Sequence, residues 1–325
     1  MGTTIRSLAP AILCSLAAGS AANGQQQATH DSLRIGLVSS SAPALARSEE
    51  SVVHGVRLGA GEARQTATLF GDDVVLYEAA TGKDATAAAA QLLSQRQIQV
   101  LIGSSPQNAD ALSRFAEDHH ILFLNVASRS QSLRSACRRY TFHIEGTDAM
   151  YANAARALTR GSVAAALSAA PARPDSVVLW GSTLERYGAS QINDRYRARF
   201  HAGMNGDAWA GWASVKIVAE TSLRTRSTEP SRLLAYLESP STQFDGHKGW
   251  PLSFRLADHQ LRQPLYAALP TTGPPRSREQ TLRDVPELRD ISLTGSAAAP
   301  PQRASQVLDR LISSPTAPRC PWSRR

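Results

Sequence analysis

Lysine is nearly missing from the 325 residues: Lys83, Lys216 and Lys248 are the only three. The formal charge of +8 is therefore carried almost wholly by arginine. The arginines are scattered, with several near the C-terminal end. That pattern argues against nucleic-acid binding, which needs a concentrated basic face with stacking rings. Aromatic residues are also scarce, at 6%. The 42% hydrophobic content is still enough for a globular core, and the length allows two domains. Beyond the N-terminal leader, no apolar run is long enough to span a bilayer.

Cysteine occurs only three times, as Cys14, Cys137 and Cys320. Cys14 lies in a stretch that reads as a secretory signal peptide over 1–22. Arg6 supplies the positive start, 8–18 the short apolar region, and Ser20-Ala21-Ala22 the small-residue cleavage site. The mature chain is then expected to begin near Asn23. Ile12-Leu13 before Cys14 do not suit lipoprotein processing. Cleavage leaves Cys137 and Cys320 in a compartment that permits disulfides. If they pair, they tie the C-terminal tail to the first domain; the alternative is two free thiols.

The chain is organised around 98–128. Ile98-Gln99-Val100-Leu101-Ile102 reads as a buried parallel strand, ended by Gly103-Ser104-Ser105-Pro106. A helix over 108–116 follows, then a strand at Ile121-Leu122-Phe123-Leu124 and a loop at Asn125-Val126-Ala127-Ser128. Upstream, 33–38 and 74–77 read as strands, and 48–68 and 84–96 as helices, with Asp84 as the cap of the second. Gly55, Gly59 and Gly61 suggest close packing of the first helix on a sheet. Strands alternating with helices imply an α/β fold with a doubly wound parallel sheet. Downstream, helices are expected over 150–167, 189–200, 207–223 and 230–237, and strands over 140–144, 177–180 and 251–255. From Pro270 onward Pro, Ser, Arg and Thr dominate, and most of 269–325 reads as disordered, apart from a short helix over 305–312.

In such sheets ligands sit beyond the carboxyl ends of the strands, against helix N-termini. The candidate ligand-binding residues are therefore Ser39, Ser40, Ser104, Ser105, Gln107, Asn125, Ala127 and Ser128. The helix starting near Asn108 would direct free N–H groups at a carboxylate there. Enzyme signals are weak. Ile102-Gly103-Ser104-Ser105-Pro106 lacks the second glycine of a nucleophile elbow. Thr81-Gly82-Lys83-Asp84 lacks the residues of a phosphate loop, with Tyr77 and Asp84 at the wrong places. His119-His120 are adjacent and face different ways. Cys137 with His143 makes a catalytic pair only in principle, and Trp209 and Trp212, three apart, read as core. No cofactor and no metal site is implied.

The first half resembles lobe one of the type I periplasmic substrate-binding proteins of branched-chain amino-acid ABC transporters. The matching residues are Leu33-Arg34-Ile35-Gly36-Leu37, Val75-Leu76-Tyr77 and Val100-Leu101-Ile102-Gly103. A narrower set looks like the branch found beside pyrroloquinoline-quinone (PQQ)-dependent alcohol dehydrogenase systems. It comprises Phe123-Leu124-Asn125, Cys137-Arg138, Tyr187-Gly188-Ala189-Ser190-Gln191, Asp207-Ala208-Trp209-Ala210-Gly211-Trp212, Lys248-Gly249-Trp250-Pro251-Leu252-Ser253-Phe254-Arg255 and Gln260-Leu261-Arg262-Gln263-Pro264-Leu265. The resemblance implies a first ligand-binding lobe over 31–148 and a second lobe over 149–268. Only 164–174 separates the crossover helix from Val177, so that second lobe is expected to be truncated. It also implies a periplasmic solute-binding component with no chemistry of its own, taking an amino acid, an amide or an organic acid. Its partners would be an ABC permease and a quinoprotein dehydrogenase system. The alternative is a scaffold or interaction protein of the same fold that binds no ligand.

Overall fold

The computed structural model describes residues 1–2, 32–41, 47–82, 84–160, 177–268, 288–290, 305–306, 308–309, 312 and 319–324. The expected signal peptide, the 164–174 break and most of the expected disordered tail lie outside the described residues.

Five parallel strands form the main sheet: β1 (Ser32–Ser40), β2 (Asp73–Thr81), β3 (Val100–Gly103), β4 (Leu122–Asn125) and β5 (Thr141–His143), in the order β2-β1-β3-β4-β5. Every residue of β3 and β4 is buried, as a strand covered on both faces requires. Alternation divides them: Val100, Ile102, Leu122 and Leu124 enter one core cluster, Leu101 and Phe123 the other. Helices α2 (Ala85–Arg96) and α3 (Ala109–His119) cover the second face. Asp84 caps α2 as expected, accepting from the backbone N–H of Thr86 at 2.9 Å and of Ala87 at 3.2 Å.

The opposite face carries α1 (Arg47–Leu69), and α7 (Gly206–Thr225) packs against α1. Here one expectation is corrected. Gly55 and Gly59 are small to admit a second helix, not the sheet. A Cβ on Gly55 would sit 1.9 Å from the Ala208 carbonyl oxygen, and one on Gly59 2.9 Å from that of Trp212. Gly211 answers from the other side, where a Cβ would meet the Val52 carbonyl oxygen at 2.4 Å. Backbone touches backbone at this crossing, so side chains are excluded there. Division of the chain at 148 leaves α7 in the second segment while it packs against α1 of the first.

The remaining sheets are small. Strands β7 (Phe244–Asp245), β8 (Pro251–Phe254) and β9 (Leu261–Arg262) form one antiparallel sheet. Strands β6 (Val177–Val178), β10 (Tyr266–Ala268) and β11 (Leu288–Asp290) form another, in the order β11-β10-β6. Helices α4 (Gln131–Ser135), α5 (Asp148–Arg160), α6 (Ala189–Phe200) and α8 (Pro230–Glu238) complete the architecture. Trp209 and Trp212 are buried core residues. Among the described residues, no helix is long and apolar enough to cross a membrane.

Cys137 and Cys320 are joined in a disulfide. The described part of the tail is therefore packed: Leu308, Ile312 and Cys320 are buried, and the Cys320 backbone N–H donates to Ala257 O at 2.8 Å.

One long-range ion pair gives the fold a pH dependence. Glu238, at the end of α8, accepts from Arg139 at 2.8 and 2.9 Å and lies 3.3 Å from His259 Nε2. Burial pushes its pKa up, but the Arg139 hydrogen bonds and the contact with His259 outweigh this and bring it down from 4.5 to about 2. The folded-state value lies below the unfolded one. The stabilisation is thus fully present above pH 4.5 and is lost as pH falls from 4.5 toward 2. Glu238→Gln should lower the urea midpoint at pH 6 and flatten its fall between pH 4.5 and 3. A variant with an acid limb as steep as wild type would locate that dependence in other carboxyls.

Candidate ligand-binding site

The carboxyl ends of β1, β3 and β4 lie side by side, because Val38 pairs with Gly103 and Gly103 with Asn125. The expected serine and asparagine residues therefore share one sheet edge. Ser39 and Ser40 are not a loop, as expected, but the last residues of β1, because the strand continues its pairing with β2 to Thr81. Likewise Asn125 ends β4.

The hydroxyls and amides at this edge are engaged by the protein itself. Glu49, buried in the first turn of α1, has Oε2 3.3 Å from the Ser40 backbone N–H donor and 3.4 Å from Ser104 Oγ. A carboxylate thus already occupies the space between the β1 and β3 ends. Ser105 Oγ donates to Gln107 Oε1 at 2.7 Å, and Asn108 makes no side-chain cap to α3. Asn125 closes its own loop: Nδ2 donates to Ser128 O at 2.8 Å, and Oδ1 accepts from Ser128 N at 2.9 Å. Ser128 Oγ accepts from the Ser130 N–H at 3.3 Å. Ala127 is half-buried. Cys137 is taken by the disulfide and His143 Nδ1 lies 3.2 Å from Asn125 Nδ2, so the pair has no free thiol.

A cavity of about 250 Å³ opens just beyond this edge, between the loops after β4 and β5 and the residues around β6. Arg129, Glu145, Val177, Leu179, Trp180 and Asp207 are among its walls. Arg129 follows Ser128 directly. Its guanidinium lies over the Tyr151 ring, 3.9 Å from the centroid, with Nε 3.7 Å from Glu145. Glu145 is buried and committed: Oε1 accepts from Tyr151 Oη at 2.6 Å and from the Gly146 N–H at 2.7 Å. Burial pushes the Glu145 carboxyl pKa up, partly countered by Arg129, and pushes the Tyr151 phenol well up. Asp207, in the first turn of α7, is different. It makes no hydrogen bond or ion pair with a described residue, and its pKa is raised by burial against the pull of Arg129. The cavity therefore presents one open carboxylate and the exposed edge of one guanidinium against an aliphatic and indole wall. That arrangement complements a small dipolar molecule.

Arg134 holds the loops after β4 and β5 in place. It is fully buried in α4 and donates to Ser128 O at 2.7 Å, Ser130 O at 3.0 Å and Glu145 O at 2.6 Å, and to Gln260 Oε1 at 3.2 Å. Arg129 was within reach of sequence reasoning as the residue after Ser128. Glu145, two residues after β5, was in reach in the same way, but Trp180 and Asp207 were not, since only the folded crossovers bring them there. Among the described residues, no cluster of three or more His, Cys, Asp or Glu could hold a metal ion.

Residues 32–166 match a family model described as periplasmic binding protein. Solved structures agree over more of the chain. A branched-chain amino acid ABC transporter periplasmic ligand-binding protein of Burkholderia xenovorans superposes with a TM-score of 0.67 at 11% identity. It covers 90% of this chain and 100% of its own. The fold is that of the periplasmic binding proteins. Two further neighbours with this binding-protein fold were solved with ligands. A Rhodopseudomonas palustris solute-binding protein in complex with benzoate has a TM-score of 0.59 at 13% identity, covering 75% of this chain and 94% of its own. A branched-chain amino acid transporter substrate-binding protein of Streptococcus pneumoniae, in complex with isoleucine, has a TM-score of 0.58 at 13% identity, covering 74% and 96%. No curated protein matches the chain.

Proposed function

We propose that this chain is the periplasmic solute-binding component of an ABC transporter, taking a small polar ligand such as an amino acid or organic acid. The carrying observation is the cavity beyond β4 and β5, whose lining includes both Asp207 and the exposed Arg129 among apolar residues. An ammonium group on Asp207 and a carboxylate on Arg129 would satisfy both. The binding-protein fold supports the reading, as do the isoleucine and benzoate held by two neighbours. The loops bearing Ser39, Ser40, Ser104, Ser105, Gln107, Asn125, Ala127 and Ser128 form the first-lobe rim in this reading. They contribute through backbone groups where their side chains are engaged. Export by the leader over 1–22 and a shortened second lobe belong to the same proposal. So does service to a PQQ-dependent alcohol oxidation system, which rests on the residue resemblance around 187–191 and 248–265.

Calorimetric titration with L-alanine, L-valine, acetate and benzoate tests the site. A small sheet in the second lobe excludes water poorly, so dissociation constants in the micromolar to millimolar range are expected, roughly −8 to −4 kcal/mol. Asp207→Asn should weaken the amino acids about tenfold or more and spare the simple acids. Arg129→Gln should weaken all four. Absence of heat with every compound would favour the scaffold reading, to which the Glu49 carboxylate between Ser40 and Ser104 already lends weight.

A further inference from the structure

Beneath the cavity lies a buried cation that the ligand-binding reading does not use. Lys248, one of three lysines in the chain, is 1% exposed. An ammonium has three donors and no acceptor. Here the donors meet Leu179 O at 2.9 Å, Gln263 Oε1 at 2.9 Å and Pro264 O at 3.2 Å. Nζ also lies 3.8 Å from the centroid of the Trp209 ring, and Trp209 stacks on Trp180 with centroids 5.9 Å apart. Burying a charge this completely is costly unless its partners are fixed.

The partners connect residues of the cavity lining that are distant in sequence. Leu179, Trp180 and Glu145 all line the cavity. Gln263, whose Oε1 accepts from Lys248, uses its Nε2 to donate to Ile144 O, the residue before Glu145. A continuous bonded path thus runs from Leu179 O through Lys248 and Gln263 to Ile144. We infer that Lys248 is the positioning residue of the cavity: with Gln263 it fixes the distance between the Leu179–Trp180 wall and Glu145, so the site is preformed. Gln would shorten the reach, and Met would remove all three donors and leave Leu179 O and Pro264 O unsatisfied. This inference rests on the ligand-binding reading for its purpose but not for its geometry.

The experiment has two arms on the full exported chain, using wild type, Lys248→Met and Lys248→Arg. In the first, hydrogen exchange is followed by mass spectrometry without ligand. For Lys248→Met, peptides over 177–184 and 261–266 should exchange at least tenfold faster, while those over 100–103 and 122–125 keep wild-type protection. Lys248→Arg, which retains the charge and several donors, should restore part of it. Unchanged exchange at 177–184, or a uniform loss across the main sheet, would overturn the inference, the latter because it marks a purely structural role. In the second arm, L-alanine is titrated. Lys248→Met should weaken it at least tenfold at a temperature where the main sheet stays protected, and equal affinity would overturn the positioning role. If wild type itself binds no L-alanine, the amino-acid reading fails, and the exchange arm alone decides whether Lys248 fixes the wall.

Discussion

Arg134→Met should lower stability by about 3–5 kcal/mol, the cost of removing one partner from a buried charged network. The side chain is 1% exposed, and burial has drawn its pKa down from 12.5 to about 10, against the opposing pull of Glu145 and Asp258. It remains a cation at neutral pH. Its loss would strand Gln260 Oε1 and the Ser130 carbonyl, and would leave the Ser128 and Glu145 carbonyls one donor each, from Asn125 Nδ2 and Gln260 Nε2. Met fills the volume but donates nothing, and each buried unsatisfied acceptor costs roughly 1–3 kcal/mol. Part of that would be relieved by water entering from the cavity. Thermal unfolding should show a Tm lower by roughly 4–8 °C for a chain of this size. Arg134→Lys should recover less than half, since a point ammonium cannot reproduce the fork. A Met variant within about 1 kcal/mol of wild type would show that the carbonyls find other partners. Ligand affinity should fall with stability, because Ser128 O and Glu145 O frame Arg129 and Glu145 in the cavity wall.

Much of the main sheet was legible in the chain because each strand is a short apolar run bounded by a Gly or polar turn. Periodicity located the helix now observed at Ala109–His119 and the strands on either side of it. It did not separate the last residues of a strand from the loop: Ser39, Ser40 and Asn125 carry polar side chains, yet their backbones stay in the ladder or at its end. Glycine spacing in α1 signalled close approach correctly but not what approaches, since a helix from 206–225 is as compatible with Gly55 and Gly59 as a sheet is. The site divided in the same way. Residues following consecutive parallel strands were placed at one edge by topology alone. Trp180 and Asp207 reach the cavity through crossovers whose geometry no local pattern encodes. Nor did the serine loops reveal that Glu49, from the first turn of the helix after β1, would fill the space between them.

The disulfide should be the other large contributor. Cys137 and Cys320 are 183 residues apart in sequence. In the chain-entropy account, closing a loop of that length restricts the unfolded chain by about 5 kcal/mol, an upper figure because denatured chains keep some structure. Reduction, or Cys137→Ser with Cys320→Ser, should therefore lower stability by about 3–5 kcal/mol. It should also release the C-terminal turn, whose Trp322 Nε1 donates to Leu256 O at 3.0 Å and whose ring lies 5.1 Å from His259. Thiol titration of the chain from Asn23 onward, which lacks Cys14, unreduced and denatured, should find none reacting, and indole emission should shift to the red on reduction as Trp322 meets water. Two reactive thiols, or an unfolding midpoint unmoved by reductant, would refute the cross-link. The effect should not be independent of the first prediction. Cys137 follows α4, which carries Arg134, and Cys320 Sγ lies 3.9 Å from the Arg134 carbonyl oxygen. With the tail released, α4 loses one of its anchors, so removing Arg134 from the reduced protein has less left to disrupt. The combined loss should fall short of the sum by about 0.5–3 kcal/mol, the range found for residues that share partners. Strict additivity would mean that the tail and the Arg134 network stabilise the fold separately.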